Sequence, residues 1–156
     1  NNSGGPKCVK QGYEESTGDW IVVATDDIEF TPDSINEALL EGAEGYVAFN
    51  TGALLPEHGY DHFMIRRDIV KKIGGEILDT DFYHYYTDSI LWAKMKKLGI
   101  AKRADKAIVK HHHFTNGAEF DKTYQQAWSH FEEDKKLFEK KIHGLGFLFL
   151  NELPNH

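Results

Sequence analysis

The sequence predicts an α/β layer fold, and three observations carry the prediction. Helical and extended patterns alternate along the 156 residues, as in chains that lay helices against a sheet. Residues 20 to 25, Trp-Ile-Val-Val-Ala-Thr, form a near-continuous β-branched run, the pattern of a strand covered on both faces inside a parallel or mixed sheet. That run ends on Asp26-Asp27, beyond a strand's carboxyl end, where open α/β sheets gather their ligands.

Each element has its own local reason. Val9 and Tyr13 mark one face of a short helix that Thr17-Gly18 ends, since glycine readily takes the left-handed closing conformation. Pro32 in the first turn and Ile35, Ala38, Leu39 and Ala43 at helical spacing predict a helix over 32–43. Residues 46–49 read as a second strand, 50–61 as a loop, 62–65 as a third strand, and 67–73 as a short helix stopped by Gly74-Gly75. Thr87 is placed to cap a helix whose Leu91, Met95 and Leu98 share a face and which ends at Gly99. Residues 107–109 make a last strand running into His111-His112-His113. Tyr124, Ala127, Trp128, Phe131, Phe138 and Ile142 then form the stripe of one long amphipathic helix over 121–142, with Trp92 and Trp128 expected in the core.

Composition narrows the function. A formal charge of -7 argues against a surface built to gather nucleic acid phosphates. The single cysteine, Cys8, excludes an intrachain disulfide and any multi-cysteine metal site, which fits a cytoplasmic location. No run approaches the roughly 20 apolar residues of a membrane span; the late patch over 146–150 is far shorter. The opening, Asn1 to Pro6, lacks a Met and the apolar core of a signal peptide, as expected of a fragment or a processed product.

Three constellations carry chemistry. Asp26 and Asp27 at a strand end are either solvated turn acids or a pair whose mutual repulsion a divalent cation relieves. Asp88 lies in the first turn of its helix, where the dipole favours an acid; among Tyr85 and Tyr86 it is also placed to act as a general base of raised pKa. Strand alternation points His111 and His113 one way and His112 the other, so the cluster is solvated or supplies imidazole ligands from one face. Imidazole with two carboxylates suits Mn²⁺, and Mg²⁺ less because it prefers oxygen. A zinc hydrolase is the other chemistry such ligands allow. The segment from Asn50 to Arg67 adds His58, Tyr60, Asp61, His62 and Arg66, which read as ordinary polar loop composition or as further site material.

Taken in order, these pieces resemble the second half of the GT-A glycosyltransferases, in particular the inverting family 2. The residues that carry the resemblance are Asn2, Gly4 and Gly12, then TGDWIVVATDDIEFTPDSI at 17–35, FMIRRDIVKKIGGEILDTDF at 63–82, YYTDSILWAKMKKLG at 85–99 and IVKHHH at 108–113. It spans residues 1–115, the catalytic half of such a domain, and leaves 116–156 as a helical extension packing on it. The resemblance implies a truncated GT-A fold, a mixed sheet flanked by helices with a long C-terminal helix.

It also implies a metal-dependent transfer of sugar from a nucleotide-diphospho-sugar to a carbohydrate or lipid-linked hydroxyl, with inversion. In that scheme Asp27 is the metal-binding acid of the DxD-type motif, Asp26 its partner facing the nucleotide sugar, and Asp88 the base. His111 or His113 becomes a late metal or diphosphate contact. The chain departs from the family at Thr87, where Glu is usual, and the family's opening nucleotide-binding elements have no counterpart before Asn1. The strand at 20–25 is then expected to expose one edge, to be covered by a second copy in a homodimer, by strand exchange or by the long helix. The rival readings are a binding or assembly module that keeps the fold without catalysis, and a mononuclear metal hydrolase.

Overall fold

A computed structural model describes residues 4–52, 61–114, 117 and 119–146. Eleven elements are seen among them: α1 (Gly5–Glu15), β1 (Trp20–Val23), β2 (Ile28–Phe30), α2 (Ser34–Glu41), β3 (Tyr46–Asn50), β4 (Phe63–Arg66), α3 (Arg67–Lys72), α4 (Thr87–Leu98), β5 (Arg103–His111), α5 (Lys122–Trp128) and α6 (Phe131–Gly144). The strands form one curled mixed sheet in the order β1-β4-β3-β5-β2. Only β3 and β5 run parallel; β1–β4, β4–β3 and β5–β2 are antiparallel. His58 and Tyr60 fall outside the described residues, as does most of the 146–150 apolar patch.

Strand alternation sorts the core into two layers. Ile21, Val23, Tyr46, Ala48, Phe63 and Ile65 face one way, against Ile69 and Val70 of α3 and Leu91, Trp92 and Met95 of α4, with Val9 and Tyr13 of α1 at the margin. Val47, Phe49, Met64, Ala107 and Val109 face the other, under Ala38 of α2. A third cluster joins α4 to α6 through Phe82, Ile90, Ala93, Phe138 and Ile142. Each fully buried side chain of this size contributes about 1.5–3 kcal/mol, so the α4–α6 joint is a substantial contact.

Five features differ from the sequence reading. β1, at the sheet's edge among the described residues, is covered on one face and not both: Val22 is exposed while Ile21 and Val23 are buried. The β-branched run is thus half-buried, because the α3–α4 layer covers only the face that carries Ile21 and Val23. β2 has only three residues and was hidden by its shortness. Thr87 is the first residue of α4 and is buried, while Tyr86, at φ 65°, occupies the cap. The C-terminal helix is broken into α5 and α6. At the break the Ser129 hydroxyl bonds back to the Gln126 carbonyl at 2.7 Å, a competitor of the helical ladder. Trp128 lies at that break and is 51% exposed, not in the core. Trp92 is buried as expected.

α1 begins on Gly4, at φ 88°, with Pro6 in the first turn. A Cβ on Gly4 would overlap the Tyr83 carbonyl, so only glycine lets the start of α1 lie against that segment. Among the described residues no helix is long and apolar enough to cross a membrane.

Candidate metal centre

Topology brings the polar ends of several strands together. β3 and β5 are parallel, and β1, antiparallel to β4 as β3 is, shares their direction. The carboxyl ends of β1 and β5 and the amino end of β4 therefore lie on one rim of the sheet. Asp27 follows β1, His111 ends β5 and His62 precedes β4. The β2–β5 ladder continues this placement, pairing Ile28 with His111 and bonding the His112 N–H to the Asp27 carbonyl at 2.8 Å.

Ligand-type atoms of Asp27, His62 and His111 lie within 4.8 Å of one another. His111 Nε2 is 3.2 Å from Asp27 Oδ2, and the Tyr124 hydroxyl of α5 donates to the same oxygen at 3.2 Å. The Thr25 hydroxyl donates to Asp27 Oδ1. Burial, the largest single influence, pushes the Asp27 carboxyl up, but the Thr25 bond, the His111 ring and the Tyr124 bond together hold it below its ordinary value. Asp27 is therefore ionised at neutral pH.

His62 is 1% exposed, and neither ring nitrogen has a hydrogen-bond partner among the described residues. Its ring meets His111 edge to face, with centroids 4.6 Å apart. Burial lowers its pKa, the nearby His111 and His113 adding to this against Asp61 and Asp27. It is accordingly a neutral imidazole, the form that ligates metals. A buried ring with two unmet nitrogens costs free energy unless something else uses them.

The other expected site residues are distributed around this core. His113 lies with its ring 5.1 Å from that of His111, on the same side, whereas His112 turns to Glu29 with Nε2 3.6 Å from its carboxylate. The alternation argument thus describes the cluster, but His62, not His113, completes the tightest three-residue group. Asp26 is exposed in the turn between β1 and β2.

Asp88, at the start of α4, hydrogen-bonds Asp61. Burial of its carboxyl is the main cause of a pKa well above the ordinary value, and the charge and hydrogen bond of Asp61 reinforce it. Asp88 is thereby shifted toward its protonated form. His84 lies near enough to feel Asp61 and Asp27, although burial dominates and lowers its pKa.

Sequence reasoning left His62 and Asp61 between loop composition and site material, without linking them to Asp27, and put Tyr124 in an apolar stripe. Their signal is three-dimensional: the start of an antiparallel strand shares a rim with the ends of its neighbours.

No family model matches the chain, and no curated protein matches its sequence. Among solved structures, the mannosyltransferase PcManGT from Pyrobaculum calidifontis, in complex with GDP-Man and Mn²⁺, superposes with a TM-score of 0.56 at 15% identity, over 70% of this chain. The superposed region is 36% of that protein, so the chain spans about a third of its length. At this identity the likeness shows the fold, a glycosyltransferase-like mixed α/β arrangement.

Proposed function

We propose that this chain is a metal-dependent glycosyltransferase domain that uses a nucleotide-diphospho-sugar, and that Asp27, His62 and His111 hold the cation. The observation that carries the reading is the convergence of those three side chains on one rim of a glycosyltransferase-like sheet. The residues fit the ion. One carboxylate is kept ionised, and a buried neutral imidazole offers two unmet nitrogens. A mixed nitrogen and oxygen set favours Mn²⁺ over Mg²⁺. When bound, the cation would supply charge neutralisation for a diphosphate leaving group.

The chain's own groups then divide the work. Asp26, exposed in the same turn, faces the donor, and His113 contacts metal or diphosphate. Asp88 takes the proton of a carbohydrate or lipid-linked hydroxyl, and attack opposite the leaving group inverts the anomeric carbon. Residues 1–115 form the catalytic half and 116–156 a helical extension. The outer edge of β1 pairs with no strand among the described residues, and we assign it to a homodimer seam, which sedimentation analysis checks.

The deciding experiment is calorimetric titration with Mn²⁺, alone and with GDP- and UDP-hexoses, followed by assays of donor hydrolysis and sugar transfer. Mn²⁺-dependent donor binding, with transfer abolished in Asp88→Asn, is the expected result. Metal binding without any nucleotide-sugar response would sink the transferase reading. It would favour the second one, a zinc hydrolase, which the two-imidazole, one-carboxylate set also suits. That alternative predicts tight Zn²⁺ binding and hydrolysis needing no nucleotide sugar.

A further inference from the structure

The segment 83–86 leads directly into α4 and Asp88, and α6 with its preceding turn grips it at every residue. Asp134 of α6 is 3% exposed. Its Oδ1 accepts the Tyr83 N–H at 2.9 Å, and its Oδ2 accepts the His84 and Tyr85 N–H groups, each at 2.8 Å. Three consecutive peptide donors converge on one buried carboxylate, which compensates an anion that would otherwise be costly to bury. The rings follow suit: Tyr83 stacks on His130 at 3.9 Å, Tyr85 meets Phe131 edge to face at 5.1 Å, and Tyr86 stacks on Phe138 at 4.9 Å.

We propose that Asp134 is a positioning residue, and that the α5–α6 pair sets the separation between the Asp27 cluster and Asp88. Two observations point beyond simple loop anchoring. Tyr86 is held at φ 65°, a strained conformation for a non-glycine residue, two positions before Asp88. The same helix pair reaches the opposite side of the site, where Tyr124 of α5 bonds Asp27. One helix pair thus touches both the metal-side acid and the segment that leads to Asp88. The catalytic meaning of this arrangement rests on the transferase reading; the geometric claim stands apart from it.

The test compares Asp134→Asn with Ile142→Ala, which weakens α4–α6 packing without touching the carboxylate. Asn has one acceptor oxygen and no charge, so at least one of the three bonds is lost, the rest lose their charge assistance, and amide exchange at 83–85 should accelerate about 100-fold. Amide and carboxyl NMR shifts of His84 and Asp88 should move in Asp134→Asn and hold in Ile142→Ala. In the Mn²⁺-loaded protein, kcat should fall about 100-fold with donor KM little changed, as displacement of a reacting group predicts. Ile142→Ala should lose stability yet keep kcat.

Should Asp134→Asn fail to fold, Asp134→Glu keeps the charge, moves it by one methylene, and is expected to give the same pattern at smaller size. Unchanged exchange at 83–85 would remove the clamp. Faster exchange with His84 and Asp88 shifts unmoved, or with kcat retained, would reduce Asp134 to a structural anchor. A wild-type chain that ignores Mn²⁺ and nucleotide sugars would refute the proposed function alone, since the exchange and shift measurements still decide the positioning role.

Discussion

Tyr124 and His111 share one oxygen of Asp27: the tyrosine hydroxyl and the imidazole Nε2 each lie 3.2 Å from Oδ2. The tyrosine comes from α5, 97 residues from the acid in sequence, and the histidine from the end of β5. An acid oriented by a donor outside the metal's reach keeps its ligand geometry when the site fills. Removing such an orienting partner commonly costs 10–100-fold in metal affinity. Tyr124→Phe is therefore expected to weaken Mn²⁺ binding about 10-fold while leaving the melting temperature nearly unchanged, as calorimetry and thermal scans would show.

His62 sets stability against function. Replacing it with Leu removes two buried nitrogens lacking partners among the described residues, which should stabilise the metal-free protein by about 1–3 kcal/mol. The same change should abolish Mn²⁺ binding. Denaturant unfolding beside metal titration checks both, and a destabilised His62→Leu that still binds Mn²⁺ contradicts the assignment.

The pH dependence of the metal-free protein follows from the same ring. Burial lowers the folded pKa of His62 from 6.5, so between the two values the unfolded chain binds more protons. Its contribution is complete above about 6.5 and is lost as pH falls through the folded pKa. Melting temperature should drop between about pH 7 and 5, and the slope should flatten in His62→Leu.

Asp88 carries a second, kinetic prediction. Burial foremost, then the Asp61 carboxyl, raises its pKa, so activity that needs the ionised base rises with pH along an acidic limb. Asp61→Asn removes the neighbouring charge and should move that limb to lower pH, as a pH profile of kcat would reveal. No movement would exclude the pair from the rate.

Lys141 fastens α6 to the 79–82 turn, its Nζ 2.6 Å from both Asp79 Oδ2 and Asp81 Oδ2. The two acids are not equivalent: Asp79's side chain is 14% exposed and Asp81's 70%. Solvent screens the second bond, so Asp81→Asn should cost well under 1 kcal/mol and Asp79→Asn about 1 kcal/mol or more. Equal costs in unfolding experiments would show that burial does not govern this pair.

The legible part of this protein was the part written in local pattern. Asp27 and His111 terminate recognisable strands, and α4 announces itself through Leu91, Met95 and Gly99. His62 gave no such signal, because its place depends on β4 returning antiparallel between β1 and β3. The open face of β1 was hidden likewise, since Ile21, Val22 and Val23 look alike in sequence although only the outer two are buried. Trp128 fits a helical stripe, but the turn at Ser129 and His130 redirects the chain before that stripe can close. Local periodicity records which residues prefer burial; which neighbour arrives to bury them is settled by chain return.

Trp128 also makes the molecule observable. Of the three tryptophans, Trp92 is 6% exposed in the core and Trp128 is 51% exposed, one turn from Tyr124 and edge to face with Tyr85 at 6.1 Å. Its emission should be the component that a collisional quencher reaches first, ahead of half-buried Trp20 and buried Trp92. A native fluorophore therefore sits between the helix that touches Asp27 and the segment that α6 holds, and its quenching should report on both without any added label.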